Sequence, residues 1–177
     1  MKKCLFFAYA LLFLMMPSCQ KLDELTQFEM DYQETVIIPA TVEANIPYEI
    51  QTPEITTNAE SEFEVHDTRK ENIEEIKLNE LKLSLIDPDD GNFDFLNEIS
   101  VYLSTEQLPE IKVAWKKDIP ENALQELQLN TSDENIGEYI KQESFRLRIE
   151  TITDKVINRD HEIQLDAVFL VNAKLIK

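Results

Sequence analysis

Apolar and polar residues alternate with a period of two along most of this chain. Successive side chains of a β-strand point to opposite faces, so the alternation predicts strands with one buried and one wet face. It is clearest in Ile99-Val101-Leu103, Ile111-Val113-Trp115, Phe145-Leu147-Ile149 and the final run from Ile163 to Val171. Tyr32–Ile38 ends in four apolar or β-branched residues and stops at Pro39; Ile46–Ile50 is a second short run ahead of Pro53. Proline cannot donate to a ladder, so both prolines suit edge strands or strand ends. Ser61–His66 reads as a weak further strand, and Leu124–Leu129 as a short strand or a turn of helix.

Between Ile73 and Ile86 the parity changes: Ile76 and Leu78 share one face, and Leu81, Leu83 and Leu85 share the other. The switch at Asn79-Glu80 predicts a strand carrying a bulge or bend. A helix is the alternative, since Leu78, Leu81 and Leu85 share a helical face; the double alternation favours the strand. Asp87-Pro88-Asp89-Asp90-Gly91 ends it as a turn, and Asn92–Asn97 reads as a short helical turn. Thr131 or Ser132 is placed to cap a helix through Tyr139, with Glu134 in its first turn. Asp154–His161 would join the last two strands as a hairpin. Eight or nine short strands between turns predict an all-β fold, an antiparallel β-sandwich with one or two short helices.

The first nineteen residues break this pattern. Lys2 and Lys3 precede an uncharged apolar run from Leu5 to Met16, followed by Pro17, Ser18 and Cys19. A basic start, a short apolar stretch and a small residue before a cut form a secretory signal, an N-terminal signal helix removed from the mature chain. The run is short of the roughly 20 apolar residues that span a bilayer. Met16-Pro17-Ser18-Cys19 resembles the lipobox of bacterial lipoproteins, in which the final cysteine is lipidated. Met16 and Ser18 are the departures, since Leu and Gly or Ala are usual there. A cysteine suits the role because its thiolate is a strong nucleophile that can carry a thioether-linked lipid. Each buried acyl methylene contributes about 0.8 kcal/mol, and one chain alone holds only marginally; bacterial lipoproteins usually carry two or three. The organisation expected is a signal peptide over 1–18, a lipidated tether over 19–27 and a β-sandwich domain over 28–177. Gln20 in place of aspartate after the cysteine favours the outer membrane. Gln20-Lys21-Leu22-Asp23-Glu24 weakly resembles the Lys-plus-acidic signal of surface-exposed Bacteroides-type lipoproteins, leaving periplasmic face and cell surface both open.

Removing 18 of the 177 residues leaves 159, enough for one domain with a real core. Of the 17 basic side chains Lys2 and Lys3 leave, and the remaining 15 face 35 acidic ones, a net charge of −20. Such a field repels nucleic acid and anionic lipid, which excludes nucleic-acid binding. The two cysteines are Cys4, lost with the signal, and Cys19. The mature domain therefore has no thiol for a disulfide, a metal or nucleophilic catalysis.

The runs Asn92–Asn97, Ile99–Ser104, Leu147–Asp154 and Val168–Lys174 resemble a group of small lipoproteins of Bacteroides-type bacteria. That resemblance implies an immunoglobulin-like sandwich and carries over neither an assigned activity nor a catalytic residue.

Candidate chemistry is sparse. Asp87, Asp89, Asp90 and Asp94 cluster around a turn, and clustered carboxylates suit Ca²⁺ with its six to eight oxygen ligands. The spacing departs from an EF-hand loop: Gly91 comes one position early and no Glu closes the ring. Asp and Gly are also ordinary turn residues, the reading favoured here. His66 and His161 are the only histidines and read as surface residues. No Gly-x-Ser-x-Gly elbow, phosphate loop or dinucleotide fingerprint occurs. Trp115 with Tyr32, Tyr48, Tyr102 and Tyr139 could stack on sugars if several lay exposed on one sheet, but Trp115 shares parity with Ile111 and Val113, which predicts burial. Asn130-Thr131-Ser132 matches a glycosylation acceptor, here an accidental match. The function expected is a membrane-anchored, non-enzymatic binding or assembly module without a cofactor, held by lipid on Cys19 and facing an envelope protein or glycan. The alternative is a carbohydrate-binding accessory lipoprotein.

Overall fold

The computed structural model describes residues 27–40, 43–120 and 124–174. In chain order the strands are β1 (Gln27–Ile38), β2 (Pro47–Gln51), β3 (Ile55–Thr56), β4 (Ile73–Asp87), β5 (Leu96–Ser104), β6 (Ile111–Lys116), β7 (Glu126–Gln128), β8 (Asn130–Thr131), β9 (Ser144–Thr153) and β10 (His161–Ala173). The helices are α1 (Ala59–Val65) and α2 (Gly137–Ile140), with a 3-10 turn at Lys70–Asn72.

All pairings are antiparallel and form two sheets. The first runs β1-β10-β4-β7; the second runs β2-β9-β5-β6-β8, with β3 also on β9. The two-sheet sandwich expected from the alternation is what forms. Its inner faces bury Met30, Ile76, Leu83, Ile163 and Val171 from the first sheet against Val101, Leu103, Phe145 and Ile149 from the second. β1 and β2, the strands beside Pro39 and Pro53, are sheet edges.

The strand order differs from the immunoglobulin-like one implied by the family resemblance. An immunoglobulin sandwich keeps its last two strands side by side in one sheet. Here β10 pairs with β1 and β4, while β9 lies in the other sheet between β2 and β5. First strand against last, with the chain crossing between sheets at most connections, is jelly-roll order. The hairpin expected over Asp154–His161 is therefore absent. That connection crosses the end of the sandwich, burying Ile157 and donating from the Asp154 amide to the Phe95 carbonyl (3.1 Å).

Two bulges set which side chains face the core. In β4, Leu78 pairs with Phe169 and Glu80 with Val168, leaving Asn79 as the extra residue. Ile76 and Leu78 before it, and Leu81, Leu83 and Leu85 after it, are all buried, so the parity switch resolves as a bulge in one long strand. In β6, Ala114 pairs with Val101 and Lys112 with Tyr102, leaving Val113 extra. Ala114 is fully buried and Trp115 turns onto the outer face, half-buried, opposite Ser100. Its expected place in the core is corrected: the extra residue reverses the parity that Ile111 and Val113 suggested.

Three local readings change. The run Ser61–His66 is helical rather than a strand, Ser61–Val65 lying in α1 and His66 capping its C-terminus, because Ala59 and Phe63, four apart, bury one helical face. Thr131 and Ser132 do not cap a helix; Thr131 pairs with Ala114 and α2 is one turn. Asn135 intervenes, its Oδ1 accepting from the Gly137 and Ile76 amides (2.9 and 3.1 Å) and its Nδ2 donating to the Glu74 carbonyl (3.1 Å). With the Ile136 amide on the Ile76 carbonyl (2.8 Å), this segment covers the β4 edge instead of extending a helix. Within Asn92–Asn97, Phe93–Leu96 is a turn closed from the Leu96 amide to the Phe93 carbonyl (3.1 Å), and β5 begins at Leu96.

Candidate functional site

Cys19 and the lipobox-like residues before it lie outside the described residues, as does the tether up to position 26. The described chain enters β1 at Gln27, opposite Asn172 of β10. β1 then leads to Ile38, opposite His161, at the far end of the sandwich.

That far end holds the carboxylate-rich turn. Phe93 and Phe95 anchor it in the core. Asp90 pairs with Arg159 (2.6 Å) and Asp94 with Lys155 (3.4 Å), both in the β9–β10 connection. Asp87, Asp89 and Asp90 are exposed, and Gln125 donates to the Asp89 carbonyl (2.5 Å). Among the described residues no group of three or more His, Cys, Asp or Glu side chains is gathered as metal ligands. Asp90 and Asp94 are thus paired with neighbouring cations, Asp87 and Asp89 face solvent, and the four do not converge.

The histidines divide. His66 is exposed and stacks on Phe28 (centroids 4.0 Å apart), as a surface residue would. His161 is buried instead, its ring 4.3 Å from Phe95 and its Nδ1 2.9 Å from the Arg159 carbonyl oxygen. It starts β10 with its side chain inward, beside the core-anchored turn, where the polar sequence around it gave no such sign. Burial pushes its imidazole below the usual histidine value.

The proposed tyrosine platform does not assemble. Tyr32 lies on the inner side of β1 with its hydroxyl donating to the Thr57 carbonyl, and burial, then the Glu62 carboxylate, raise it to about 12. Tyr139 is buried and donates to the Pro109 carbonyl (2.9 Å); Tyr48 packs against the core. Tyr102 alone of the four joins Trp115 on the outer face of the second sheet, since Tyr102 and Ser100 alternate on β5 and Ser100 pairs with Trp115.

That outer face carries a cluster the sequence did not disclose. Arg148 of β9 stands opposite Tyr102, its guanidinium 4.0 Å from the ring centroid, and Lys112 approaches the same ring at 5.0 Å. Arg148 pairs with Glu49 (2.9 Å), Glu110 (2.8 Å) and Glu150 (3.1 Å), and its side chain is only 16% exposed. The Nε and Nη2 atoms meet Glu110 in a two-pronged bond that holds that carboxyl below its usual range. Lys112 donates to the Ser100 hydroxyl (3.2 Å). The Arg148–Glu150 spacing of two, on one strand face, was the available signal; Glu49 and Glu110 come from distant sequence.

The class of protein defined so far is a two-sheet antiparallel sandwich in jelly-roll order. No family model matches the chain, and no curated protein matches it. A solved structure from turnip yellow mosaic virus is similar at 13% identity, covering 85% of this chain and 96% of that one, with a TM-score of 0.32. One from Desmodium yellow mottle tymovirus is similar at 7% identity, covering 85% of each, with a TM-score of 0.23. Likeness at those TM-scores bears on neither fold nor function.

Proposed function

We propose that this chain is a non-enzymatic, lipid-anchored binding module of a bacterial outer membrane, on its periplasmic face or at the cell surface. The observation that carries the reading is the sequence Met16-Pro17-Ser18-Cys19 after an apolar run, eight positions ahead of the strand entry at Gln27. A lipid on Cys19 and a short tether would hold the sandwich by the Gln27 end. The test is the intact mass of the protein from its native membrane beside a Cys19→Ala variant. A mature N-terminus at Cys19 with acyl mass, lost in the variant, is expected; an unlipidated chain cut elsewhere overturns the reading.

One observation favours a second reading, a carbohydrate-binding accessory lipoprotein. The Val113 bulge turns Trp115 outward among Ser100 and Asn130, an amphipathic ring bordered by hydrogen-bonding groups. A screen of envelope and host glycans against wild type and Trp115→Ala tests it. Binding lost in the variant supports this reading, and no binding by the wild type removes it.

A further inference from the structure

The two ends of the sandwich differ in how they treat large apolar side chains. Six such side chains are exposed among the described residues: Ile37, Ile46, Val65, Ile86, Leu124 and Val156. Only Val65, on α1, belongs to the end where the chain enters at Gln27; α1 lies against Phe28 through Phe63. The other five sit on or beside the connections at the opposite end. Leu124 and Val156 are 76% and 73% exposed. Single exposed apolar residues are ordinary, but their concentration on one end of a domain is not.

The described parts of these connections are tied to one another. The Ala40 amide donates to Asp160 (2.8 Å) and the Asn45 amide to the Thr153 carbonyl (2.6 Å), tying the chain after β1 to that after β9. Arg159–Asp90 and Lys155–Asp94 tie the latter to the aspartate turn. The Phe93 amide on the Leu124 carbonyl (3.3 Å) and Gln125 on Asp89 tie that turn to the chain before β7. Leu124 and Val156 are therefore presented from a cross-braced base, which lowers the ordering cost of binding.

The charge around them is one-sided. Lys117, Lys155 and Arg159 are each already paired, with Glu98, Asp94 and Asp90. Asp87, Asp89 and Asp118 stay exposed and form no ion pair within 4 Å with another described residue. An acidic rim around apolar tips repels anionic lipid and a second copy of itself, and complements a basic polypeptide surface.

We propose that this end docks a protein partner whose contact surface is apolar at its centre and rich in Lys and Arg at its rim. Under the anchored reading, on which the direction of presentation rests, this end faces away from the membrane. β1 alone spans roughly 35–40 Å at the usual strand rise.

The test places a photo-crosslinking side chain at Leu124, at Val156 and, as the control end, at Val65, in the full-length protein in its native membrane. Adducts from Leu124 and Val156 to one polypeptide, mapping to a segment rich in Lys and Arg, are expected. They should fall about threefold in an Asp87→Lys, Asp89→Lys variant, the size of a rim-charge effect. Equal adducts from Val65, adducts to lipid or to a second copy, an acidic partner segment, or no adduct at all overturn the proposal. Thermal unfolding of the Leu124 and Val156 variants, both at exposed positions, is expected to match wild type and checks that the fold is intact. The intact mass at Cys19 is read on the same samples, so failure of anchoring and failure of docking are distinguishable.

Discussion

The two sheets have equivalent inner faces and unlike outer ones. Inside, each contributes fully buried aliphatic side chains, Leu83 and Ile76 from one, Leu103 and Val101 from the other. Outside, the first sheet carries polar contacts such as Gln33 on Asp166 (2.8 Å) and Lys77 on Glu75 (3.0 Å), open to water. The second carries an arginine stacked on a tyrosine, held by three carboxylates and mostly removed from solvent. The inner faces answer chiefly to burial. The outer ones show where side chains are held in place beyond what solubility needs, which is why the second sheet, with Trp115 beside the cluster, is the face to examine for a ligand.

Breaking the inner equivalence gives the largest effects. Leu83→Ala and Leu103→Ala should each lower stability by about 3 kcal/mol, measured by urea unfolding. A much smaller loss in one would show that its sheet relaxes into the space. Next comes the outer contrast. Arg148→Ala should cost about 1 kcal/mol through lost packing on Tyr102 and lost ion pairing, whereas Lys77→Ala on the first sheet should fall within about 0.5 kcal/mol of zero. Equal losses would erase the difference between the two faces. Trp115→Ala should leave stability within about 1 kcal/mol, because its ring is on the outer face; a loss of core size would return it to the interior.

Titration sharpens the same picture. His161, neutral by burial on the inner side of β10, binds a proton more readily in the unfolded chain. Stability should be level above about pH 6.5 and decline as pH falls below it, a decline that His161→Gln should flatten. Glu110 acts at lower pH: its carboxyl is held down by Arg148, so its contribution is present above the ordinary carboxylate range and fades as pH falls through its lowered value. Melting temperatures between pH 3 and 8, in wild type and Arg148→Ala, separate the two.

The two bulges show how much of this was legible. The Asn79 bulge could be read from the sequence because leucines continue on both sides of it, and their parity visibly changes. The Val113 bulge could not, since Ile111, Val113 and Trp115 alternate perfectly and only the pairing of Val101 with Ala114 displaces them. Likewise α1 was hidden because Ser61–His66 alternates as well as it spirals, and the burial of Ala59 with Phe63 is what selects the spiral. Arg148 was legible as an outward strand residue; its partners Glu49 and Glu110 lie 99 and 38 positions away and were not.

Local physics therefore specified most of the strands and the sandwich class, because alternation acts between neighbours in sequence. Strand order was another matter. Whether β10 lies beside β9 or beside β1 depends on which apolar faces meet across long connections, and a period of two is the same in either arrangement. The burial of His161, the outward turn of Trp115 and the gathering of apolar tips at one end all follow from that long-range pairing, so they became visible only once the two sheets were assembled.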